Sequence, residues 1–254
     1  MNETSPELSV VIPSYNEEGR LEPGLRQALA YLRRRGESYE LLVVDDGSRD
    51  GTSRVAAAFA DQGVRVLRHE KNRGKGAAVR TGIVASRGRK VLLTDADFST
   101  PIQEIEKLER FLTSATPLVI GSRGLADSQV EKRQPFYREM MGKTFNFLIR
   151  MIGVRGIRDT QCGFKLTQGD IGRALCSELT IEGFAYDVEL IWLARKHGYG
   201  VAEVGVVWIN SPDSRVDPIR SSLSMLRDIV LMRFRHRGRA ARESFGAAGE
   251  PKSL

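Results

Sequence analysis

Cysteine is nearly absent from this chain. Two occur in 254 residues, Cys162 and Cys176, and their spacing fits neither a metal-binding pair nor a disulfide framework. A chain of this length buries enough apolar surface to fold without bridges, so a reducing compartment is expected. Histidine is equally scarce, and His69, His197 and His236 stand too far apart for a zinc pattern. No apolar run approaches the about 20 residues that span a bilayer. Residues 1–7 are polar and the apolar run 8–12 is only of strand length, so no secretory signal is expected. The stretch Asn72-Arg73-Gly74-Lys75-Gly76 lacks both the Gly four residues before Gly-Lys and the Ser or Thr after it. A P-loop nucleoside triphosphatase is thereby excluded.

What the chain does have is 41% hydrophobic content, suited to one large domain, and a net charge of +7. The positive balance points to an anionic partner: a nucleotide, a lipid phosphate, a membrane surface or nucleic acid. No nucleic-acid recognition motif accompanies the charge, which ranks that partner last.

The most informative run is Val91-Leu92-Leu93-Thr94-Asp95-Ala96-Asp97. Side chains at i and i+2 of a strand share a face, so Asp95 and Asp97 can converge on one hard cation where the strand meets its loop. A cation held by so few protein ligands keeps positions open for diphosphate oxygens.

Organisation supports a site there. Strands are expected over 8–13, 39–45, 64–69, 90–94 and 118–121, and helices over 19–35, 52–62, 75–87 and 102–113. This alternation is the pattern of βαβ units on a mostly parallel sheet flanked by helices. Such sheets bind ligands at the carboxyl ends of their strands, where Pro13-Ser14-Tyr15-Asn16-Glu17, Asp45-Asp46-Gly47-Ser48 and Asp95-Ala96-Asp97 all fall. The second half reads as a basic stretch 132–138, a helix 139–151, a strand near 164–166, a helix 186–196 and a strand 201–209. Within 221–237, Leu223, Leu226, Val230 and Phe234 form an apolar stripe at helical spacing, beside Arg227, Arg233, Arg235 and Arg237. That helix either packs on the body of the protein or lies in a membrane surface. The expected division is 1–220 for the catalytic domain, 221–238 for the amphipathic helix and 239–254 for a disordered tail.

In order along the chain, Val11-Ile12-Pro13-Ser14-Tyr15-Asn16-Glu17, Val43-Val44-Asp45-Asp46-Gly47-Ser48, Asn72-Arg73-Gly74-Lys75-Gly76, Asp95-Ala96-Asp97 and Gly121-Ser122-Arg123 resemble the motifs of the family 2 inverting glycosyltransferases of GT-A fold. The resemblance is to their polyprenyl-phosphate sugar transferase group and extends to about Val216. Asp159-Thr160-Gln161-Cys162-Gly163-Phe164-Lys165-Leu166 looks most like the dolichyl-phosphate glucosyltransferase branch.

The resemblance implies roles. Pro13, Tyr15, Glu17, Val44 and Asp46 match residues that contact the donor nucleotide, with the Tyr15 ring available for stacking and Asp46 for a base N–H. The stretch from Asp45 to Ser48 also suits a turn and helix cap, with Asp46 facing the ligand and Asp50 or Thr52 capping. Lys75 at a helix start can face an anion. Asp95, Ala96 and Asp97 would border the sugar diphosphate. Asp97 would be the direct ligand of Mg2+ or Mn2+, with Asp95 nearer the ribose and sugar. Ser99 stands where relatives often carry Gln. Arg123 and Arg138 match arginines that bind the acceptor phosphate, and Lys132, Arg133 and Lys143 can add to that pocket. Arg215, in Asp213-Ser214-Arg215-Val216, replaces a usual Lys that closes over the diphosphate. Asp187 lies near the position of a catalytic base in alcohol-acceptor relatives, but reads more readily as a structural helix-start carboxylate.

The implied activity is metal-dependent inverting transfer of a hexose, with UDP-glucose the favoured donor, onto a polyprenyl phosphate at the cytoplasmic face of a membrane. GDP-mannose as donor, a soluble acceptor, and a non-catalytic nucleotide-sugar-binding module are the alternatives.

Overall fold

A computed structural model of the protein describes residues 5–126, 128–130, 154, 156–209 and 218–237. Its centre is a seven-stranded sheet in the order β3-β2-β1-β4-β7-β5-β8. The strands are β1 (Leu8–Ser14), β2 (Tyr39–Asp45), β3 (Val64–Arg68), β4 (Lys90–Leu93), β5 (Leu118–Ser122), β7 (Lys165–Gln168) and β8 (Val201–Gly205). β1 is buried along its whole length and β2 over all but its first residue. Helices cover both faces of the sheet, so its central strands are near-continuous apolar runs instead of alternating ones. One core lies on the side of α1 (Glu18–Arg35) and α4 (Ile105–Glu109), the other under α3 (Lys75–Ala85), α5 (Gly169–Glu178), α6 (Tyr186–Lys196) and α7 (Pro218–Arg235). α1 earns its length from Leu21, Leu25, Ala28, Leu29 and Leu32, buried on one stripe, and ends at Gly36 with φ 72°, the left-handed cap that glycine adopts without strain.

β7 runs antiparallel to both β4 and β5, while every other pairing in this sheet is parallel. Its amino-terminal end therefore lies at the same sheet edge as the carboxyl ends of β4 and β5. This brings the segment Asp159 to Lys165 to the site, although it precedes its strand.

Several expected elements come out differently. The helix expected over 52–62 is α2 (Thr52–Ala57) followed by a 3-10 turn, Ala60–Gln62, and that over 102–113 is a 3-10 turn, Ile102–Glu104, leading into α4. The single strand expected over 201–209 breaks at Val206. β8 stays with β5, whereas β9 (Val207–Trp208) leaves to pair in parallel with β6 (Gln129–Val130). α5 and β6 were not expected from the sequence. α5 opens on Gly169 and contains Gly172, residues that argue against a helix; a Cβ on Gly172 would sit 2.3 Å from Thr167 Cγ2, so close packing requires the glycine.

The apolar stripe of α7 also needs correction. Met225, Ile229, Met232 and His236 form the buried face, while Val230 and Phe234 from the expected stripe are exposed, at 46% and 61%. The expected helix 139–151 and tail 239–254 lie outside the described residues, as do Lys132, Arg133, Arg138, Lys143 and Arg215.

Candidate active site

The first two strands end in register, Pro13 opposite Val44 and Ser14 opposite Asp45, all four buried. Beyond them the two loops are stitched together. Asn16 N donates to Ser48 Oγ at 2.9 Å, Arg49 N donates to Asn16 Oδ1 at 2.9 Å, and Glu17 N donates to Thr52 Oγ1 at 2.7 Å. Asn16 adopts φ 55° to allow this, a conformation that Asn tolerates better than most residues. Tyr15 is left 39% exposed at the rim, with its ring free to stack. Glu17 takes the guanidinium fork of Arg20 at 2.7 and 2.8 Å, so this carboxylate is held within its own helix turn.

Asp46 was expected to face a ligand, and its carboxylate is turned inward. His69 Nδ1 donates to Oδ1 at 2.6 Å, Arg73 N donates to Oδ1 at 3.0 Å and Gly74 N donates to Oδ2 at 2.8 Å. The side chain is 3% exposed. With three of about four acceptor positions filled, Asp46 anchors the loop that precedes α3. Asp45 is equally enclosed, accepting from Ser48 N at 2.8 Å and from Ser53 Oγ. Asp50 accepts from Thr52 N at 3.0 Å, but the residue at the N-cap of the following helix is Gly51 and no side chain caps it, so neither Asp50 nor Thr52 takes the expected capping position.

At the end of β4 the pattern reverses. Lys75, the first residue of α3, places Nζ 2.7 Å from Asp95 Oδ1. Burial works against both charges, but each holds the other ionised: the Asp95 carboxyl lies below its ordinary range and the Lys75 ammonium above its own. Asp95 keeps a 37% exposed side chain and lines a small pocket with Thr94, Arg123, Gln161, Phe164 and Trp208. Gly163 closes in behind it, since a Cβ there would lie 2.1 Å from Asp95 Oδ2. Asp97 Oδ1 accepts from Ser99 N at 3.0 Å. Between them and the next loop, Phe98 adopts φ 47°, a left-handed conformation that costs a bulky residue on the order of 1–3 kcal/mol.

Two half-exposed carboxylates at a strand end fit a hard divalent cation. Among the described residues no third Asp, Glu, His or Cys joins them in a metal-binding group. Mg2+ or Mn2+ held here would complete its shell with water and substrate oxygens, each carboxylate already having one oxygen engaged, Asp95 by Lys75 and Asp97 by Ser99 N.

Arg123 was expected to offer its planar fork to a phosphate. Instead Nε and Nη2 lie 2.7 and 3.0 Å from the two oxygens of Asp159, and Arg123 N donates to Oδ2 at 3.0 Å. The guanidinium carbon stands 5.5 Å from the Trp208 ring centre. Burial would raise the Asp159 carboxyl, and the Arg123 charge more than offsets it, holding Asp159 below its ordinary range. Arg123 also lines the pocket beside Asp95.

Sequence reasoning gave Lys165 no role, yet it is buried at 2% exposure against Asp187, with Nζ also donating to Cys162 O. Burial raises the Asp187 carboxyl despite the Lys165 charge. A lysine inside an apolar strand segment, Phe164-Lys165-Leu166, was the signal available. Gly74 and Gly76 do permit a close backbone approach, but to the chain itself: Cβ atoms there would lie 2.4 Å from Glu182 O and 2.4 Å from Ile181 O respectively.

Residues 9–170 match the profile of Glycosyl transferase family 2. The chain is 40% identical over 245 residues to the dolichyl-phosphate beta-glucosyltransferase of Homo sapiens, covering 91% of this chain and 76% of that protein. It is 33% identical to the Saccharomyces cerevisiae protein of the same name, covering 89% and 74%. Among solved structures, mannosyl-3-phosphoglycerate synthase from Rubrobacter xylanophilus superimposes with a TM-score of 0.68 at 22% identity, covering 98% of this chain and 79% of that one. Glucosyl-3-phosphoglycerate synthase from Mycobacterium tuberculosis, in complex with Mn2+ and UDP-glucose, gives 0.65 at 21% identity, covering 90% and 79%.

Proposed function

We propose, from the premise that the chain belongs to glycosyl transferase family 2 and carries the GT-A fold, that it transfers glucose from UDP-glucose to the phosphate of a polyprenyl lipid with inversion at the anomeric carbon. The observation that carries this reading is Asp95, paired with Lys75 just beyond β4, lining a pocket shared with Arg123. Similarity at 33–40% identity to dolichyl-phosphate beta-glucosyltransferases selects the sugar and the acceptor.

The residues divide the work. Tyr15 at the rim is available to the nucleotide base, and Pro13 and Val44, paired in register at the ends of β1 and β2, would contribute backbone beside it. Lys75 fixes the Asp95 carboxylate toward the sugar and ribose. Asp97, with Asp95, would hold Mg2+ or Mn2+, which supplies neutralisation of charge on the departing diphosphate. Arg215 would add to that charge from the diphosphate side. The acceptor needs positioning more than a base, because a phosphate monoester with a second pKa of about 6 is already largely ionised at neutral pH. Arg123, steered by Asp159 and Trp208, would present its remaining N–H groups to that phosphate, together with Arg138. The phosphate oxygen then attacks the anomeric carbon as the bond to the nucleoside diphosphate breaks. Asp187, paired to Lys165 beneath the pocket, acts here as a structural carboxylate.

The acceptor is lipid-borne, which calls for a membrane-facing surface. No helix among the described residues is long and apolar enough to cross a membrane. α7 offers an alternative: its outward face presents Arg227, Val230 and Phe234, with Arg237 exposed just beyond its end, an apolar strip with basic flanks that suits the interface of an anionic leaflet. We assign the protein to the periphery of the cytoplasmic face on this basis, with residues 1–220 as the catalytic unit.

The test is transfer of labelled sugar from UDP-glucose, and separately from GDP-mannose, to a short polyprenyl phosphate in detergent, with Mg2+ or Mn2+ and with chelator. Chelator-sensitive labelling from UDP-glucose is the expected result. Labelling from GDP-mannose alone would overturn the sugar assignment, and labelling of neither would overturn the acceptor.

A further inference from the structure

A second buried carboxylate cluster lies between α6 and α7, away from the pocket and unused by any step above. Glu189 of α6 is fully buried, and its two oxygens collect donors from both sides. Thr180 N donates at 3.0 and 3.1 Å, Thr180 Oγ1 at 2.7 Å and Ile181 N at 2.8 Å. From the other side His236 Nε2 donates to Oε1 at 2.7 Å. His236 follows the last turn of α7, is itself fully buried, and stacks at a tilt on Trp192 with ring centres 5.3 Å apart. A carboxylate taken out of water must have its lone pairs satisfied, so Glu189 holds the C-terminal helix and the segment Thr180 to Gly183 in one arrangement.

That segment is the lid on the turn that carries Lys75. Ala77 N donates to Glu182 O at 3.1 Å, and Arg73 Nη2 pairs with Glu182 Oε1 at 2.5 Å. The glycines at 74 and 76 leave no slack, because even a methyl group at either would overlap the carbonyl oxygens of Glu182 and Ile181. Arg73 to Ala77 therefore moves with Thr180 to Gly183. Lys75, within that stretch, reaches Asp95.

We infer that Glu189 and His236 are positioning residues for the donor site: docking of the C-terminal helix fixes the Thr180–Gly183 segment, which sets Lys75 and, through it, Asp95. The inference builds on the donor-site assignment made above, but its physical core is a linkage between α7 and the Lys75 turn that can be read without any ligand.

The experiment compares His236→Leu with His236→Gln in the full chain by amide hydrogen exchange and by steady-state transfer. The glutamine amide can still donate to Glu189, whereas leucine keeps the bulk and loses the donor. His236→Leu is expected to speed exchange across residues 73–78 as well as in α7, and to raise KM for UDP-glucose about tenfold with a smaller change in kcat. His236→Gln is expected to recover most of both. Thr180→Val, an isosteric loss of one donor on the opposite side of Glu189, gives the same pattern at lower amplitude and serves if the leucine variant does not fold. Faster exchange confined to α7 and 180–183, with 73–78 unchanged, would overturn the linkage. So would equal KM values for the leucine and glutamine variants. A wild-type protein that transfers no glucose would instead remove the proposed function, while the exchange pattern still decides the linkage.

Discussion

Asp46, the first residue after β2, and Asp95, the second after β4, stand on loops at the same edge of the sheet with the β1 loop between them, yet their carboxylates differ sharply in exposure. Asp46 has His69 on one side and the amides of Arg73 and Gly74 on the other, and is 3% exposed. Asp95 pairs with Lys75 and remains 37% exposed. The difference lies in the backbone that each finds nearby. Where a loop folds back with free N–H groups, a carboxylate becomes part of the scaffold; where the loop leads away and glycine closes behind, as Gly163 does, it stays available to a ligand. Both loops depend on the same turn, since Asp46 fixes its backbone and Asp95 receives its lysine.

The comparison breaks most sharply in two substitutions with opposite signatures. Asp97→Ala is expected to lower glucosyl transfer by more than about 100-fold, the upper range for loss of even an outer partner of a metal site, while the melting temperature stays at the wild-type value. Transfer assays alongside thermal denaturation check this, and retained activity would remove the cation from the mechanism. Asp46→Ala is expected to do the reverse in kind. It strands the Arg73 and Gly74 amides and the His69 ring, lowering stability by about 2–4 kcal/mol, with transfer reduced only through the displaced Lys75 turn. Urea titration measures the first effect, and an unchanged midpoint would mean that Asp46 does face solvent and ligand.

The smallest effect expected is on the pH dependence of stability. The folded-state pKa of Asp95 is depressed, so its contribution is present above the ordinary carboxylate value of 3.8 and is lost as pH falls through the folded value. For Lys75 the folded value is raised above 10.5, so its share is lost only as pH rises beyond that. Asp95→Asn should therefore flatten the acid limb of the stability profile and leave the range from pH 6 to 8 displaced but parallel to wild type. Denaturation followed from pH 2 to 8 tests the sign.

The contrast also explains what could be read from the sequence. The place of Asp95 and Asp97 just beyond a strand was legible because Val91 to Leu93 marks β4 without ambiguity, but β4 ends at Leu93 and both carboxylates stand in the turn that follows, where the strand period no longer sets how they face. β1 and β2 were legible for the same reason, as uninterrupted apolar runs. Asp46 was not, because its partners are a histidine and two amides in the loop before α3, placed by a turn that no local pattern announces. Lys165 and Asp187 lie on different elements, and their pairing depends on β7 running antiparallel, so only the folded sheet brings them together. The Asp159 partner of Arg123 was not legible, since it reaches the guanidinium from the irregular chain ahead of β7. The break at Val206 follows from β9 finding β6, a partner of two residues that propensity cannot see.

Phe98 is the feature with the longest reach. Its ring fills the notch over Gly24 in the middle of α1, where an added Cβ would come within 2.0 Å of Cδ2. Phe98 also follows Asp97 directly and already sits at a positive φ, so it has no relaxed alternative into which it could retreat. A mutational scan of this protein should therefore score Gly24, a helix position with no carboxylate, no charge and no place in the pocket, among the positions intolerant of substitution. Tolerance at Gly19, one turn earlier with open space around it, would show that the constraint is inherited from the turn after Asp97 and not from the helix.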